Sequence, residues 1–365
     1  MNRSSRRRLL AGTLGSGLLA QVGAPPEVRL PRRVRLALAG FDGHPEEILR
    51  VLPQLPDVEL VAVAEEESDP EAQANVLRDR FAAKARRYET LAQLLAGEQP
   101  DVVAVCNHNG RRSAAILACA ARKVNVIAEK PLALNRMDLD AVYAAVKRSG
   151  IELGMLLPMR FDSPYLAMRR IVESGAIGEV VQMDAQKSYQ LGARPAWQKH
   201  RATYGSTILW IGIHSIDLML WVSGRRFTEA ASLQGRVGFP ETGDMENAAA
   251  TLFRLDNGGS ATLHMDYLRP AAASGHGDDR LRVSGARGIL EYQESSGVTL
   301  LTGKSGLEAV RELPRQQSVF LDYLLSVYQG AGAGLSWREI VRANEATLAA
   351  HAAAEQHRFV AIQGV

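Results

Sequence analysis

The sequence predicts an α/β chain: an N-terminal doubly wound parallel sheet, followed by an α+β part with an open, mostly antiparallel sheet. Short apolar runs alternate with amphipathic stretches up to residue 157, which is typical of strand–helix–strand units in a parallel sheet. Beyond residue 158, a long apolar helix precedes five strand-like runs, several of them separated by glycine turns. A length of 365 residues suits two domains.

The first part is predicted from its apolar runs and the polar segments between them. Strands are expected at 34–40, 58–64, 102–106, 124–128 and 151–156. Helices are expected at 45–52, 70–82, 111–122 and 137–147. Pro45 suits the first turn of a helix, where a backbone N–H would have no partner within the helix.

The second part begins with a helix at 163–174 and an alternating strand at 180–189, and the long apolar helix follows at 208–222. Further strands are expected at 248–255, 260–267, 280–284, 288–292 and 298–301, and final helices at 318–329 and 337–355. The predicted division is 1–30 for an export signal and linker, 31–157 for the first domain and 158–365 for the second.

The N-terminus has the pattern of a twin-arginine export signal. Ser5-Arg6-Arg7-Arg8-Leu9-Leu10 begins it, and the mildly apolar stretch to Ala20 is shorter than the roughly 20 residues that span a bilayer. Small residues at 22–24 suit cleavage, but Pro25 does not, so an uncleaved membrane anchor stays open. The pattern predicts transfer by the twin-arginine translocase to the periplasm or beyond; the alternative is a basic tail without a targeting role.

The charge balance gives no reason to expect nucleic acid as a partner. The chain carries a net charge of +3, but residues 1–24 hold four arginines and no acids. Without them, 39 basic residues face 40 acidic ones, a net charge of −1. Cys106 and Cys119 lie in apolar surroundings and are expected as isolated core residues. No Cys/His spacing indicates a metal site.

The turn after the first strand departs from the G-x-G-x-x-G pattern with which dinucleotide-binding folds approach a pyrophosphate. Here residues 40–44 read G-F-D-G-H, so Asp42 stands at the second glycine. Two acids at 46 and 47 fall in the first helical turn, where they compete with a phosphate. Gly40 and Gly43 remain the expected cofactor contacts of this turn, and His44 partly offsets the acids.

Glu65, at the end of the second strand, is a further expected cofactor contact. A carboxylate there accepts hydrogen bonds from the hydroxyls of the adenosine ribose. Glu66 and Glu67 add negative charge that would repel a 2′-phosphate, so NAD is expected rather than NADP. The alternative for these acids is a solvated loop.

The triplet Glu129-Lys130-Pro131 follows an apolar run and places a lysine at the carboxyl end of a predicted parallel strand. Open α/β sheets bind their ligands at that edge. A buried lysine loses its proton more easily than a free one and can exchange a proton with a hydroxyl that is being oxidised.

Three motifs together resemble the Gfo/Idh/MocA family, the group of glucose–fructose oxidoreductase and inositol dehydrogenase. They are Glu129-Lys130-Pro131, Met159-Arg160-Phe161 and the helix from Trp210 to Asp217, which contains Ile213-His214-Ser215. The resemblance covers residue 34 to the C-terminus. It implies a Rossmann domain, a second domain whose sheet forms homo-oligomers, and NAD(P)-dependent oxidation or reduction of a sugar or polyol.

The resemblance also implies roles for individual residues. Lys130 would contact the substrate hydroxyl and transfer its proton, and His214 would act as general acid or base. Asn109 would lie near the cofactor, as would Glu129 and Pro131 on either side of Lys130. Arg160 would lie beside the substrate cleft.

The sequence departs from the family pattern inside these motifs. Many members have an aspartate four residues before the histidine, at the position of Trp210, and His108 and Arg112 replace a usual proline and histidine. Trp210, Trp197 and Tyr204 are expected to line the substrate cleft, with packing as the alternative for Trp210. Asp217 shares a helix face with His214 and would orient its imidazole or bind nearby backbone.

Three functions remain open from the sequence. The leading one is an exported NAD-dependent oxidoreductase that acts on a sugar or polyol. The second is a glycoside-cleaving enzyme that uses transient oxidation, elimination and re-reduction. The third is a non-catalytic sugar-binding or scaffold protein, which Asp42 and Trp210 motivate.

Overall fold

The computed structural model describes residues 26–332 and 335–363 as two sheets with helices packed against them. The predicted export signal lies outside the described residues, and the predicted domain boundaries stay predictions. The segment Arg201–Ser223 is long and apolar enough to cross a bilayer, but 94% of its most apolar window is buried inside the protein. It is therefore a core helix of this fold.

The first sheet has six parallel strands. They are β1 (Val34–Ala39), β2 (Val58–Ala64), β3 (Arg86–Tyr88), β4 (Val102–Val105), β5 (Asn125–Ala128) and β6 (Leu153–Met155). Their order across the sheet is β3-β2-β1-β4-β5-β6, which confirms the doubly wound parallel sheet. The strand order reverses between β1 and β4, and a dinucleotide binds at such a reversal, beyond the carboxyl ends of the strands.

Five helices connect or flank these strands: α1 (Glu46–Leu49), α2 (Pro70–Leu77), α3 (Leu91–Gly97), α4 (Asn109–Ala121) and α5 (Arg136–Ser149). Local chemistry fixes their ends. The Asp69 carboxylate accepts hydrogen bonds from the first backbone N–H groups of α2. Gly150, in the left-handed conformation with φ 69°, ends α5.

The second part holds α6 (Ser163–Glu173), α7 (Arg201–Tyr204), α8 (Ile213–Ser223), α9 (Val319–Gln329) and α10 (Trp337–Gln356). Its strands are β7 (Val180–Gln190), β8 (Phe227–Gly235), β9 (Ala248–Leu255), β10 (Ser260–Arg269), β11 (Gly277–Gly285), β12 (Gly288–Gln293), β13 (Gly297–Thr302), β14 (Gly306–Ala309) and β15 (Val360–Ala361). Their order is β14-β13-β12-β11-β7-β10-β9-β8-β15. Among the described strands of this second sheet, only the β7–β10 pair is parallel, so the sheet is mostly antiparallel, as predicted.

Several elements differ from the sequence prediction. The strands β3, β8, β14 and β15 and the helix α3 were not predicted; β3 and β14 are largely exposed and carry no apolar run. The helices α1 and α2 are shorter than predicted, and short 3₁₀ turns follow them at Leu52–Gln54 and Ala82–Lys84. Other 3₁₀ turns lie at Pro158–Phe161, Ala196–Lys199 and Pro240–Thr242.

The helix α8 is the centre of the molecule. Ten of its eleven residues are buried, so the polar side chains of His214 and Asp217 are enclosed rather than solvated. A π turn, Ile208–Gly212, leads directly into it. The C-terminal helices also pack on the first sheet, because Phe320 of α9 joins the apolar cluster around β1. We refer to the region where Lys130, at the end of β5, meets Trp210 and α8 as the cleft.

Candidate active site

The cleft has its floor at the carboxyl ends of three central strands. Gly40 follows β1, Asn107 follows β4 and Lys130 follows β5. A Cβ on Gly40 would lie 2.5 Å from backbone atoms of Asn107, so only glycine lets these two strand ends approach so closely. Gly40 and Lys130, both predicted from the ends of their strands, thus lie at the same edge of the sheet.

Lys130 is fully buried beneath α8. Its Nζ donates a 2.9 Å hydrogen bond to the Trp210 carbonyl and lies 3.2 Å from the centre of the Trp210 indole ring. Burial lowers the pKa of Lys130 to about 7, the nearby cations Arg112 and Lys187 act in the same direction, and Glu129 opposes them. The lysine is therefore poised between its charged and neutral forms near neutral pH.

Trp210 belongs to the π turn before α8, and such turns recur at functional sites. Its ring presents a π face to Lys130, which attracts an ammonium without holding it as firmly as an acid would. Trp210 therefore contacts the predicted catalytic lysine directly, beyond the packing role that was its alternative.

His214 lies one turn further along the same helix and is also buried. Burial lowers the pKa of His214 well below its ordinary value, and the charges of Lys130 and Lys187 lower it further. Its imidazole is consequently neutral at neutral pH. Its Nδ1 has no hydrogen-bond partner among the described residues, so it is available to a ligand in the cleft.

A second histidine, His44, meets His214 edge to face with ring centres 5.7 Å apart. The His44 backbone N–H donates to Glu129 Oε1 at 2.6 Å, and its Nδ1 lies 2.6 Å from the same oxygen. Although burial opposes the shift, attraction to this histidine lowers the pKa of Glu129 to about 2 and raises that of His44. Glu129, the acid of the triplet, is thus bound by His44 of the glycine turn.

The glycine turn is bound to the second part of the chain through Asp42. Its Oδ1 accepts a 2.9 Å hydrogen bond from Trp197 Nε1, and burial raises the pKa of Asp42. The Trp197 ring stacks near His108, with ring centres 6.2 Å apart, and meets Trp210 edge-on at 5.4 Å. Trp197 therefore links the glycine turn to Trp210, and its place in the substrate cleft stays a prediction.

The fit of a dinucleotide is tested by the polar atoms that the fold leaves in this cleft. Among the described residues, several buried atoms lack a hydrogen-bond partner: both side-chain polar atoms of Asn107, Asp42 Oδ2, His108 Nδ1 and His214 Nδ1. Buried polar atoms are normally paired, so such a cluster marks a ligand site. The left-handed Gly40 and Gly43, with φ 77° and 80°, keep the turn open. These residues fit a dinucleotide, and acids lie in the glycine turn where its phosphates would bind.

Arg112 and Asn109 form a hydrogen-bond network next to the backbone of Lys130. Arg112 donates to the Lys130 and Pro131 carbonyls at 2.8 and 3.1 Å and to Asn109 Oδ1 at 2.8 Å. The Asn109 amide in turn donates to the Tyr204 carbonyl at 2.8 Å. Arg112 therefore fixes the backbone of the triplet.

Tyr204 lies deeper than a cleft-lining residue would. Its side chain is fully buried, and its hydroxyl lies 3.0 Å from the Tyr267 hydroxyl and 3.3 Å from Thr207 Oγ1. The Tyr204 ring still borders those of Trp197 and Trp210, with centres 6.4 Å away in each case. It supports the two tryptophans from behind.

Arg160 and Asp217, both predicted at the substrate cleft, bind each other instead. Arg160 donates from Nε to Asp217 Oδ2 at 2.7 Å and from a terminal nitrogen to Oδ1 at 2.5 Å. A third contact, to Glu339 of α10, is 2.8 Å long. Both partners are almost completely buried, so the pair joins the 3₁₀ turn Pro158–Phe161 to α8, and the Glu339 contact joins it to α10. Asp217 therefore does not orient His214.

Glu65 lies at the end of β2, as predicted, with its side chain partly exposed. Its Oε1 accepts a 2.5 Å hydrogen bond from Arg87 of β3. Arg111 on α4 binds Glu67 at 2.8 Å. The acids of this loop are thus held by arginines, although a carboxylate can still accept further hydrogen bonds from a ribose.

Lys187 and Asp279 were missed as site residues. Lys187 of β7 donates from Nζ to Asp279 Oδ2 of β11 at 2.7 Å, and its charge influences both Lys130 and His214. A strand lysine beside an acid 92 residues away has no local signal in the sequence. Residues 26–332 and 335–363 contain no group of three His, Cys, Asp or Glu side chains that could hold a metal ion.

Two family models match the chain. Residues 34–155 match the model described as an oxidoreductase family with an NAD-binding Rossmann fold. Residues 165–291 match the GFO/IDH/MocA C-terminal domain. The first match covers the six-stranded sheet and the Lys130 triplet, and the second covers α8 and most of the second sheet.

Individual proteins agree with these matches. The chain is 28% identical to myo-inositol 2-dehydrogenase from Thermotoga maritima over 235 residues, 62% of this chain and 67% of that one. The structure of an oxidoreductase from Thermotoga maritima aligns with a TM-score of 0.85 and 28% identity over 90% of this chain and 100% of the other. Levoglucosan dehydrogenase in complex with NADH shares the fold, with a TM-score of 0.77, 17% identity and coverage of 92% and 100%. The chain spans about half to two thirds of the curated relatives that it matches.

Proposed function

Because the chain belongs to the Gfo/Idh/MocA family of oxidoreductases with an NAD-binding Rossmann fold, we propose that it oxidises a hydroxyl of a sugar or polyol with NAD. Relatives described as inositol 2-dehydrogenases support this class of substrate. One observation carries the proposal: a fully buried lysine with a pKa of about 7 lies beside a neutral histidine at the ligand edge of the sheet.

Lys130 transfers the proton, whereas Trp210 and His214 position the reacting groups. Bound NAD supplies the acceptor for the hydride. Lys130, in its neutral form, takes the proton of the substrate hydroxyl at Nζ while the Trp210 carbonyl holds that nitrogen in place. His214, also neutral, forms one hydrogen bond with the substrate beside the same hydroxyl. Its buried side chain keeps water away from that hydroxyl.

The oxidation rate is expected to depend on pH through Lys130. The protonated lysine cannot accept a proton, so kcat/KM should rise as pH increases through about 7 and level off above it. His214 adds no second step in this range, because burial keeps it neutral throughout. A steady-state pH profile of NAD reduction checks this, and a profile that falls across the same range would contradict it.

The proposal is tested by incubating the purified protein with NAD and a panel of polyols and following NADH. Oxidation predicts NADH in proportion to the polyol consumed. A glycoside-cleaving enzyme with transient oxidation would release sugar without accumulating NADH. Calorimetry with NAD separates the third case, because the acids around the glycine turn motivate a scaffold protein that binds sugar but no NAD. Absence of NAD binding would rule out the proposed oxidoreductase.

We also propose that the chain is exported by the twin-arginine route and forms a homo-oligomer. The export proposal depends on the arginine motif at residues 5–10, and periplasmic fractionation with N-terminal sequencing tests it. The assembly proposal depends on the outer face of the second sheet, where Leu233 and Leu252 are 71% and 41% exposed around a groove of about 570 Å³. A monomeric mass by light scattering would contradict it.

A further inference from the structure

A polar pair lies on the inner face of the second sheet. Lys187 on β7 and Asp279 on β11 are directly opposite each other in an antiparallel ladder, so both side chains point to the same face. Lys187 shares this face with Met183 and Ala185, which pack in the apolar core. A fully buried charged residue among such neighbours is uncommon, and its partner is only partly exposed.

Aromatic side chains surround the pair and lead to the surface. Lys187 Nζ lies 5.0 Å from the centre of the Tyr189 ring, and that ring lies 4.8 Å from the exposed His276. Tyr189 also borders Tyr267, with ring centres 6.4 Å apart. Rings thereby flank Lys187, and the last residue of this row, His276, is exposed.

The same pair lies close to the reacting groups. Strands β7 and β11, which carry the pair, both pack against α8, the helix that holds His214. The charge of Lys187 accordingly lowers the pKa of Lys130 and of His214. Attraction to Tyr189 and Asp279 raises the pKa of Lys187 itself despite its burial, so it stays protonated. One lysine of the cleft is thus a proton acceptor and the other a permanent hydrogen-bond donor.

The unpaired atom of this pair identifies the chemistry of its ligand. Asp279 Oδ2 binds Lys187, whereas the buried Oδ1 has no partner among the described residues. A carboxylate oxygen only accepts hydrogen bonds, so the ligand must bring a donor there. The free oxygen of Asp279 would repel an anionic ligand, whereas a hydroxyl can donate to it. A neighbouring hydroxyl can accept from Lys187 by replacing the weak acceptor Met159 Sδ, which lies 3.1 Å from Lys187 Nζ.

We propose that Lys187 and Asp279 form the subsite that binds two adjacent hydroxyls of the substrate, away from the carbon that is oxidised. The inference rests on the proposed function, since it assigns a polyol to the same cleft. It makes these two residues determinants of specificity, and it selects neutral polyols with neighbouring hydroxyls over sugar acids.

The variant Asp279→Asn tests this subsite with little change in volume. Its amide oxygen can keep the Lys187 contact, while an NH₂ group replaces the free acceptor. Asp278→Asn is the matched control, because Asp278 lies on the opposite face and binds Arg280 at 2.7 Å. The variants are titrated calorimetrically with myo-inositol, glucose and sorbitol, with and without NAD.

We expect Asp279→Asn to weaken binding of the accepted polyol about tenfold to a hundredfold, as for a hydrogen bond to a charged group, and Asp278→Asn to leave it unchanged. Wild-type protein should bind an analogue that lacks the hydroxyl held by Asp279 more weakly than the full polyol, by a similar factor. In Asp279→Asn the difference in affinity between these two ligands should be smaller. If Asp279→Asn does not fold, as judged by thermal unfolding, Lys187→Gln replaces it with the same expectation.

Equal polyol affinity in the Asp279 and Asp278 variants would overturn the subsite, as would a wild-type protein that binds NAD but none of the three polyols. Failure of NAD to bind counts against the proposed function instead. The titrations without NAD still test the subsite in that case.

Discussion

Replacing Lys130 with methionine is expected to lower kcat for polyol oxidation by about 10²–10⁴-fold, the usual contribution of a general base. Methionine fills a similar volume beneath Trp210 but cannot accept a proton. NAD affinity should change far less than turnover, because the variant keeps the backbone that Arg112 fixes. Steady-state kinetics and an NAD titration on the same preparation measure both quantities.

Two further variants separate proton transfer from charge. Lys130→Arg keeps a cation but cannot lose its proton near neutral pH, so it should be as inactive as the methionine variant. Lys147→Met removes an exposed lysine of α5 and should leave kcat unchanged. Turnover by Lys130→Arg at the wild-type rate would show that the lysine acts only through its charge.

Replacing Arg160 with methionine is expected to reduce the free energy of unfolding by about 3–5 kcal/mol. The substitution leaves the buried Asp217 carboxylate without its bidentate partner, and an uncompensated buried charge costs far more than the net value of the pair. Urea unfolding followed by circular dichroism measures the loss.

The double variant Arg160→Met with Asp217→Asn is the control for this mechanism. It removes both charges and should recover part of the lost stability, because the penalty comes from the unpaired carboxylate. Arg160→Lys should lie between wild type and Arg160→Met, since it keeps the charge but not the two parallel hydrogen bonds. A loss below about 1 kcal/mol in Arg160→Met would contradict the assigned role.

The parallel sheet could be predicted because its central strands are continuous apolar runs, such as β2 and β4, bounded by polar turns. The strand β3 escaped prediction because its sequence, Arg86 to Tyr88, is short and polar at the sheet edge. The mixed character of the second sheet also had no local signal. Its β7–β10 pairing joins distant parts of the chain, for example Gln182 with Ser260, and register over that distance depends on tertiary packing.

Some residues of the site likewise had a local signal in the sequence, and others did not. Lys130 was located by the end of an apolar strand and His214 by its helix motif, and the fold places both beside one cleft. Arg160 and Asp217 were predicted at the substrate cleft, and their mutual hydrogen bonds inside the core, between residues 57 apart in sequence, had no local signal. The Asp42–Trp197 bond, across 155 residues, likewise depends on how the two parts of the chain pack.

The most direct measurement of the central claim is deuterium transfer from a substrate carbon to NAD. Wild-type protein, given a polyol deuterated at its carbinol carbons, should yield deuterated NADH by mass spectrometry. Lys130→Met should bind NAD and yield essentially none. Wild-type protein that binds NAD and the polyol together but transfers no deuterium would contradict the assignment of this cleft as an oxidoreductase site.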